Sequence, residues 1–218
     1  IDFVGNSAVK SGDIKRAMKT KTRKWIFWPG YYSEKKLSDD VEKLRELYFD
    51  KGYLDCQIDT DVVFAQGNEK VFINFYIDEG AAYKVENIVI TGNEFFTRDE
   101  LLKETKLEPG QVYSAQRAEF DKEKIHAKFL AAGFINSEVE HRRSFPGKGR
   151  VDAEFVVTPG QRYRIGHISI TGNQTTHDKV VRRVLDEEEF VPGNWYNADI
   201  ARGTGKGRLE KEIGRAHV

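Results

Sequence analysis

Five histidines, one cysteine and a large stock of carboxylates are the residues of this chain that could do chemistry by type, and their spacing points away from catalysis. His126, His141, His167, His177 and His217 share no metal-ligand spacing. The chain holds no His-Glu-x-x-His, no Gly-Lys-Ser/Thr phosphate loop and no Gly-x-Ser-x-Gly nucleophile turn. His177-Asp178 stands where a helix should begin, so it reads as a helix-start pair. Cys56 is the only cysteine, which excludes an internal disulfide; on the inward side of an expected strand it is a small buried hydrophobe. Asn173-Gln174-Thr175 matches a glycosylation sequon, and a turn before a helix explains it equally well. The expectation is no catalytic residue, no cofactor and no metal site.

What the chain does have is a repeat. Ile1-Asp2-Phe3-Val4-Gly5-Asn6 returns as Ile88-Val89-Ile90-Thr91-Gly92-Asn93 and as Ile168-Ser169-Ile170-Thr171-Gly172-Asn173. Apolar residues alternate with variable ones and Gly-Asn closes the run, the pattern of a short strand ending in a sharp turn. The Gly-Asn pairs lie 87 and 80 residues apart (93 − 6 and 173 − 93), a repeated-domain distance rather than a solenoid period. Other landmarks recur in the same order. Tyr32-Ser33 matches Tyr113-Ser114 and Tyr196-Asn197, Gly52-Tyr53 matches Gly133-Phe134, and Glu79-Gly80 with Tyr83-Lys84-Val85 matches Pro159-Gly160 with Tyr163-Arg164-Ile165. The expected domains are 1–80, 81–160 and a truncated third repeat over 161–218, in which 214–218 continues no pattern and reads as a cloning remnant. Opening in mid-strand with no visible signal peptide, the chain reads as an excised portion of a longer protein.

Each repeat reads strand, helix, helix, strand, strand. In repeat one, Ser11 should cap a helix carrying Ile14, Ala17 and Met18, followed by a basic stretch from Lys19 to Arg23. Trp25, Phe27, Trp28, Tyr31 and Tyr32 then make the densest aromatic stretch, an insertion that repeat two lacks. It either folds back to enlarge a small core or presents a patch to a partner. Ser38 should cap a second helix with Leu37, Val41, Leu44 and Tyr48 on its buried stripe, ended by Gly52. A strand from Leu54 to Phe64 points Leu54, Cys56, Ile58, Thr60 and Val62 inward and Asp55, Gln57, Asp59 and Asp61 outward. The turn Gln66-Gly67-Asn68 leads to a strand from Val71 to Ile77. In repeat two, Thr97 and Glu100 form a capping box, Ser114 caps a helix with Ala118, Ile125, Phe129 and Ala132 on one side, and strands follow at roughly 135–144 and 150–157, the first closed by Pro146. Repeat three supplies a strand and a helix (Val180, Val181, Val184, Leu185). Gly203, Gly205 and Gly207 should weaken its second helix, each by about 0.5–1 kcal/mol relative to alanine.

Composition sets the outer bounds. Lys plus Arg and Asp plus Glu are 35 each, so no net field favours nucleic acid or an anionic membrane surface, and no apolar run is long enough to cross a bilayer as a helix. The expected fold class is α+β: tandem β-α-α-β-β repeats, each a three-stranded mixed sheet of order 1-3-2 covered by two helices, with a parallel pair joined by a helical crossover.

These landmarks together resemble the POTRA domains of the BamA family of outer-membrane β-barrel assembly factors. The likeness rests on Ile-x-Ile-x-Gly-Asn, the glycine-aromatic pair after the second helix, and the Glu-Gly or Pro-Gly before the next repeat. The aromatic insertion looks like that of the third domain in five-domain members, so by order the repeats would be the third, the fourth and the start of the fifth. The resemblance implies a periplasmic arm of an outer-membrane protein, in front of its own C-terminal membrane barrel. It implies a scaffold that receives unfolded outer-membrane proteins and docks accessory lipoproteins, or alternatively a related secretion or translocation module. Its expected mechanism is addition of an extended peptide to a free strand edge. Expected partner residues are Ile58, Thr60, Val62 and Phe64 on the repeat-one edge and Val139 and His141 on that of repeat two, with Arg182 and Glu189 at a lipoprotein-docking surface and Trp25, Phe27, Trp28 and Tyr31 in the aromatic loop. The joints Glu79–Tyr83 and Pro159–Tyr163 leave almost no linker, so hinge freedom should be small, with Tyr83 and Tyr163 packed at the junctions.

Overall fold

The Gly-Asn pair that closes each hexapeptide has a steric reason in the computed structural model, which describes residues 1–20, 32–65, 70–171 and 177–202. The first strand, β1 (Asp2–Val4), runs parallel to β3 (Lys70–Asp78), with Phe3 opposite Phe75. At its end Gly5 takes φ +91°, and a Cβ there would lie 2.1 Å from the Ile77 carbonyl oxygen. Gly92 repeats the arrangement at φ +73°, 2.0 Å from the Val157 carbonyl oxygen. A side chain would therefore collide with the neighbouring strand at both places. The asparagines complete the turn. Asn6 Nδ2 donates to the Val9 carbonyl at 2.9 Å, and Asn93 Nδ2 to that of Phe96 at 2.5 Å.

Repeat one continues with α1 (Ser11–Ala17), α2 (Glu34–Asp50) and β2 (Gln57–Ala65), which pairs antiparallel with β3. Its sheet order is β1-β3-β2. Ile14 and Met18 from α1 and Leu37, Leu44 and Tyr48 from α2 close one core with Ile58, Ile73, Phe75 and Ile77 from the sheet. Repeat two has β4 (Lys84–Thr91), α3 (Arg98–Leu102), α4 (Ala115–Ala131), β5 (Glu138–Gly147) and β6 (Arg150–Thr158), in the order β4-β6-β5. Its buried positions include Leu101, Ile125, Phe129 and, in strict alternation along β6, Val151, Ala153, Phe155 and Val157. The expected α+β repeats with two 1-3-2 sheets are what the chain forms. Of the third repeat, α5 (Asp178–Glu187) and α6 (Ala198–Arg202) are described.

The chain divides into two compact units: Ile1–Ile88 with Leu107–Ala118 and Arg143–Ala153, and Val89–Lys106 with Glu119–Arg142 and Glu154–Val218. The first joint between repeats falls wholly inside the first unit and the second joint wholly inside the second.

Several boundaries differ from the sequence reading. Ser38 lies inside α2; the cap is Ser33, whose hydroxyl accepts the Lys36 amide at 3.4 Å. Ser11 is the first helical residue after Lys10, and its Oγ accepts from Asn6 Nδ2 at 3.0 Å. Leu54 to Cys56 form a turn, because the Leu54 amide reaches back to the Gly52 carbonyl and that of Cys56 to Tyr53, so β2 starts at Gln57. Thr60, expected inward, is exposed. Pro146 does not close β5, which runs on to Gly147; an edge strand tolerates a residue without an N–H. Of the expected first strand of repeat three, Ile168 to Asn173, residues 168–171 are described and pair with no strand among the described residues. The Thr97–Glu100 capping box and the Ser114 cap form as expected. The aromatic loop residues Trp25, Phe27, Trp28 and Tyr31, the turn 66–69, the third Gly-Asn with its sequon, and the glycine-rich stretch from 203 to the closing 214–218 lie outside the described residues.

One device was not legible in the sequence. Asp40 is fully buried in α2 and its carboxylate accepts the amides of Lys19 and Thr20 at 2.6 and 2.8 Å. Asp121 in α4 is also fully buried and accepts the amide of Lys106 at 2.6 Å. Repeats one and two thus each fix the end of their first helical segment on a carboxylate of the second helix.

Steric collision and backbone strain can be separated by mutation. Gly110 has φ +85° but open space around its Cβ position. Gly110→Ala should cost about 1–2 kcal/mol from left-handed strain alone. Gly92→Ala should cost clearly more in urea unfolding, and equal losses would refute the close-approach account.

Candidate partner edge and inter-repeat joints

Strand β2 has one neighbour, β3, so its other side presents unpaired main-chain groups among the described residues. Asp59 and Asp61 stand exposed on the same face as Val63, opposite Tyr76, Asn74 and Phe72 respectively. Of the expected partner residues on this strand, Ile58 is buried in the core and Val62 is half-buried, so these two offer mainly their backbones to a partner. Phe64 is 64% exposed at the strand's far end, with Tyr32 edge-on at 5.7 Å. Cys56, just before the strand, is buried. Its thiol is pushed up to about 11, by burial first and then by the charges of Glu79 and Asp78.

The edge of repeat two is more occupied. On β5, Glu140 pairs with Arg142 at 2.7 Å. His141 lies half-buried against Phe155, ring centroids 5.2 Å apart, and Val139 is half-buried. Towards the strand's end the Arg143 guanidinium sits 6.0 Å from the Phe49 ring, and Phe145 meets Tyr83 edge-on at 5.4 Å. The last part of β5 therefore serves the first joint. On α5, Arg182 is held by Asp178 at 2.8 Å. Glu189 beyond it is exposed, with φ 55°, and its carbonyl accepts from Asn194 Nδ2.

The two joints share one backbone frame. After α2, Gly52 takes φ +83° and its carbonyl accepts the Tyr83 amide at 2.8 Å. The Tyr83 carbonyl accepts from Tyr113 at 2.9 Å, and Val85 exchanges bonds with Gln111 and Gly110 at 2.9 and 2.7 Å. After α4, Gly133 at φ +98° accepts the Tyr163 amide at 2.9 Å, Tyr163 accepts from Tyr196 at 3.0 Å, and Ile165 exchanges bonds with Asn194 and Gly193 at 2.8 Å each. Side chains then differ. At the first joint Tyr83 is buried and its hydroxyl donates to Asp55 at 2.7 Å, which raises the phenol's pKa chiefly through that bond. Asp50, the last residue of α2, accepts from the Ser114 hydroxyl and from the Gln116 amide at 3.2 Å, so it caps the next repeat's helix. Asp50 and Ser114 line a cleft of about 550 Å³ with Lys51, Gln111, Val112 and Arg117. At the second joint Tyr163 is half-buried and receives Asn136 Nδ2 at 3.3 Å. Both tyrosines sit where the short connections required. The pairing of glycine carbonyl and tyrosine amide was not read from sequence, though the matched spacing of Gly52 and Gly133 with Tyr83 and Tyr163 carries the signal. Among the described residues no group of three or more His, Cys, Asp or Glu is placed to hold a metal ion, and no helix is long and apolar enough to cross a membrane.

Comparison with known proteins bears on this architecture. The POTRA family, described as surface antigen variable number repeat, matches residues 1–80 and 83–160. The outer membrane protein assembly factor BamA of Neisseria meningitidis serogroup B is 30% identical over 200 residues, covering 88% of this chain and 25% of that protein. The protein of the same name from Buchnera aphidicola is 29% identical over 182 residues, covering 83% and 29%. The chain thus spans between a quarter and three tenths of the length of these curated relatives. The crystal structure of Haemophilus influenzae BamA POTRA3-5 shares the fold with a TM-score of 0.61 at 24% identity, over 96% of this chain and 83% of that one.

Two measurements probe these sites. A Cβ at Gly52 would lie 3.1 Å from both the Tyr83 and Tyr113 carbonyl oxygens and 2.5 Å from Val112 Cγ1. Gly52→Ala should speed amide hydrogen exchange at Tyr83 and Tyr113 while the amides of β3 keep their protection; unchanged exchange at the joint would refute its role. Cys56 should resist a thiol-selective disulfide reagent at pH 8 in the native protein and react in denaturant, since burial disfavours the thiolate.

Proposed function

The chain belongs to the POTRA family, and from that premise we propose that it is a periplasmic scaffold module of an outer-membrane protein assembly factor. It works by holding extended segments of unfolded outer-membrane proteins against its strand edges. The observation that carries this reading is β2, a nine-residue strand with a neighbour on one side only among the described residues. Its free main-chain donors and acceptors can pair with any extended segment, which suits a receptor for many barrel strands of unrelated sequence. Its exposed Asp59 and Asp61 oppose uncontrolled association of two such edges without removing a backbone group. Affinity should be weak, because ordering the peptide offsets much of the gain. The edge at β5 is the poorer acceptor, since its charged pair and its aromatic contacts at the joint compete with a ligand. An accessory lipoprotein docks at the end of α5, through Arg182 and Glu189, and the barrel of the same protein follows this module in space.

In an antiparallel pair, successive backbone amides of β2 alternate between facing β3 and facing outward. Val62→Pro and Val63→Pro should therefore act differently. One removes an outward donor, keeps the circular dichroism of the fold and weakens binding of a synthetic peptide taken from a barrel strand; the other breaks a bond to β3 and destabilises repeat one. Two folded variants with unchanged peptide affinity would sink the pairing mechanism. Separately, Glu189→Lys should weaken retention of an accessory lipoprotein in a pull-down while leaving helix content intact, and undiminished retention would remove Glu189 from that surface.

A further inference from the structure

The second joint carries side chains that its backbone does not need. Arg162 and Arg164 both place their guanidinium carbons over the Trp195 ring, at 3.8 and 3.9 Å from its centroid. They are two residues apart and Arg164 forms an extended bridge with Trp195; at strand spacing, residues i and i+2 are about 6–7 Å apart. That gap fits one indole between two guanidiniums. Each arginine is also tied to the main chain. Arg162 Nε donates to the Ala132 carbonyl at 2.6 Å, and Arg164 donates to that of Gly193 at 2.7 Å. All three residues are exposed, and neither arginine has an ion pair with a carboxylate among the described residues.

The first joint is an internal control. The positions equivalent to Arg162, Arg164 and Trp195 are Ala82, Lys84 and Val112, and the extended bridge Lys84–Val112 is the counterpart of Arg164–Trp195. The same backbone hydrogen bonds form there, with the aliphatic Val112 in the place of the ring and no arginine at either equivalent position. Holding the joint together therefore does not require the arginine–tryptophan stack, while the stack brings two like charges together, and burial followed by Arg164 itself lowers the Arg162 pKa.

The geometry points to this stack as a docking site for an acidic, extended segment of a partner protein, with carboxylates at every second residue. Carboxylates at i and i+2 of a strand share the two-residue spacing of Arg162 and Arg164. Stacking has already fixed the rotamers of both arginines, so less freedom is lost when a carboxylate binds each guanidinium side-on. The site is distinct from the β2 edge and from Arg182 and Glu189, and it recruits by charge where the edge recruits by backbone.

The test uses the whole chain and a synthetic β-prone peptide carrying a Glu-x-Glu-x-Glu run, with a glutamine version as control, read by NMR at the Trp195 indole N–H. The acidic peptide should shift that resonance, the glutamine peptide should not, and raising the salt should weaken binding. Arg164→Gln should lower affinity on the order of tenfold. The triple variant Arg162→Ala, Arg164→Lys, Trp195→Val copies the first joint. It should keep the fold by circular dichroism and, read by titration calorimetry because it lacks the indole, bind the acidic peptide at least as weakly as Arg164→Gln. Equal affinity of wild type and Arg164→Gln for the acidic peptide would overturn the proposal. So would indole shifts produced by phosphatidylglycerol vesicles and not by the peptide, which would assign the site to a lipid surface. If the triple variant unfolds, Arg164→Gln alone decides: a change in melting temperature with unchanged peptide affinity would leave the stack a structural staple and refute the docking site.

Discussion

One main-chain hydrogen bond fixes where each repeat begins: the amide of Tyr83 to the carbonyl of Gly52, and again that of Tyr163 to Gly133. Helices leave their last carbonyls without partners. Here a left-handed glycine turns its carbonyl towards the incoming chain, so the same residue that stops a helix starts the next repeat. A larger residue at Gly52 would meet the carbonyls of Tyr83 and Tyr113, the two groups that carry the frame onward. Because Tyr83 also bonds Asp55 and Asp50 caps α4, the first joint couples three local decisions: where α2 ends, where α4 begins, and how β2 is entered.

The repeat architecture was legible because glycines and strand alternation recur in register, and both have direct steric causes. Gly5 and Gly92 cannot be anything else while a strand carbonyl lies about 2 Å from their Cβ positions. Helix starts were less legible. Ser33 and Ser38 both look like caps, and only the equivalence of Tyr32-Ser33 with Tyr113-Ser114 separates them. The turn at Leu54–Cys56 escaped because its residues continue the alternation of the strand that follows. Asp40 and Asp121 were invisible as anchors, since a carboxylate on an amphipathic helix reads as solvent-facing until the loop that covers it is placed. The arginine–tryptophan stack escaped for a similar reason: Trp195 lies 31 and 33 residues beyond Arg164 and Arg162 (195 − 164 and 195 − 162) and meets them only through the joint.

The two edges treat their exposed main chain differently. On β2 the acidic groups Asp59 and Asp61 are exposed, and among the described residues the strand pairs on one side only. On β5 the strand's end is engaged by aromatic and cationic contacts belonging to the first joint. Exposure of main chain and rigidity of the joint therefore compete for the same residues, and the two repeats settle that competition differently.

The buried aspartates have an evolutionary consequence. Asp40 and Asp121 lie 81 residues apart (121 − 40), but the lysine amides they receive lie 87 apart (106 − 19). Repeat one therefore spends six more residues between its anchored lysine and its aspartate than repeat two does (87 − 81). With the chain clamped on one side by the carboxylate and on the other by the start of α2, length between the clamps is free to drift at little more than the slow, logarithmic entropy of loop closure. A family built this way can diversify by lengthening one connection while every strand register stays put, and the aromatic insertion of repeat one occupies the place where such growth is tolerated.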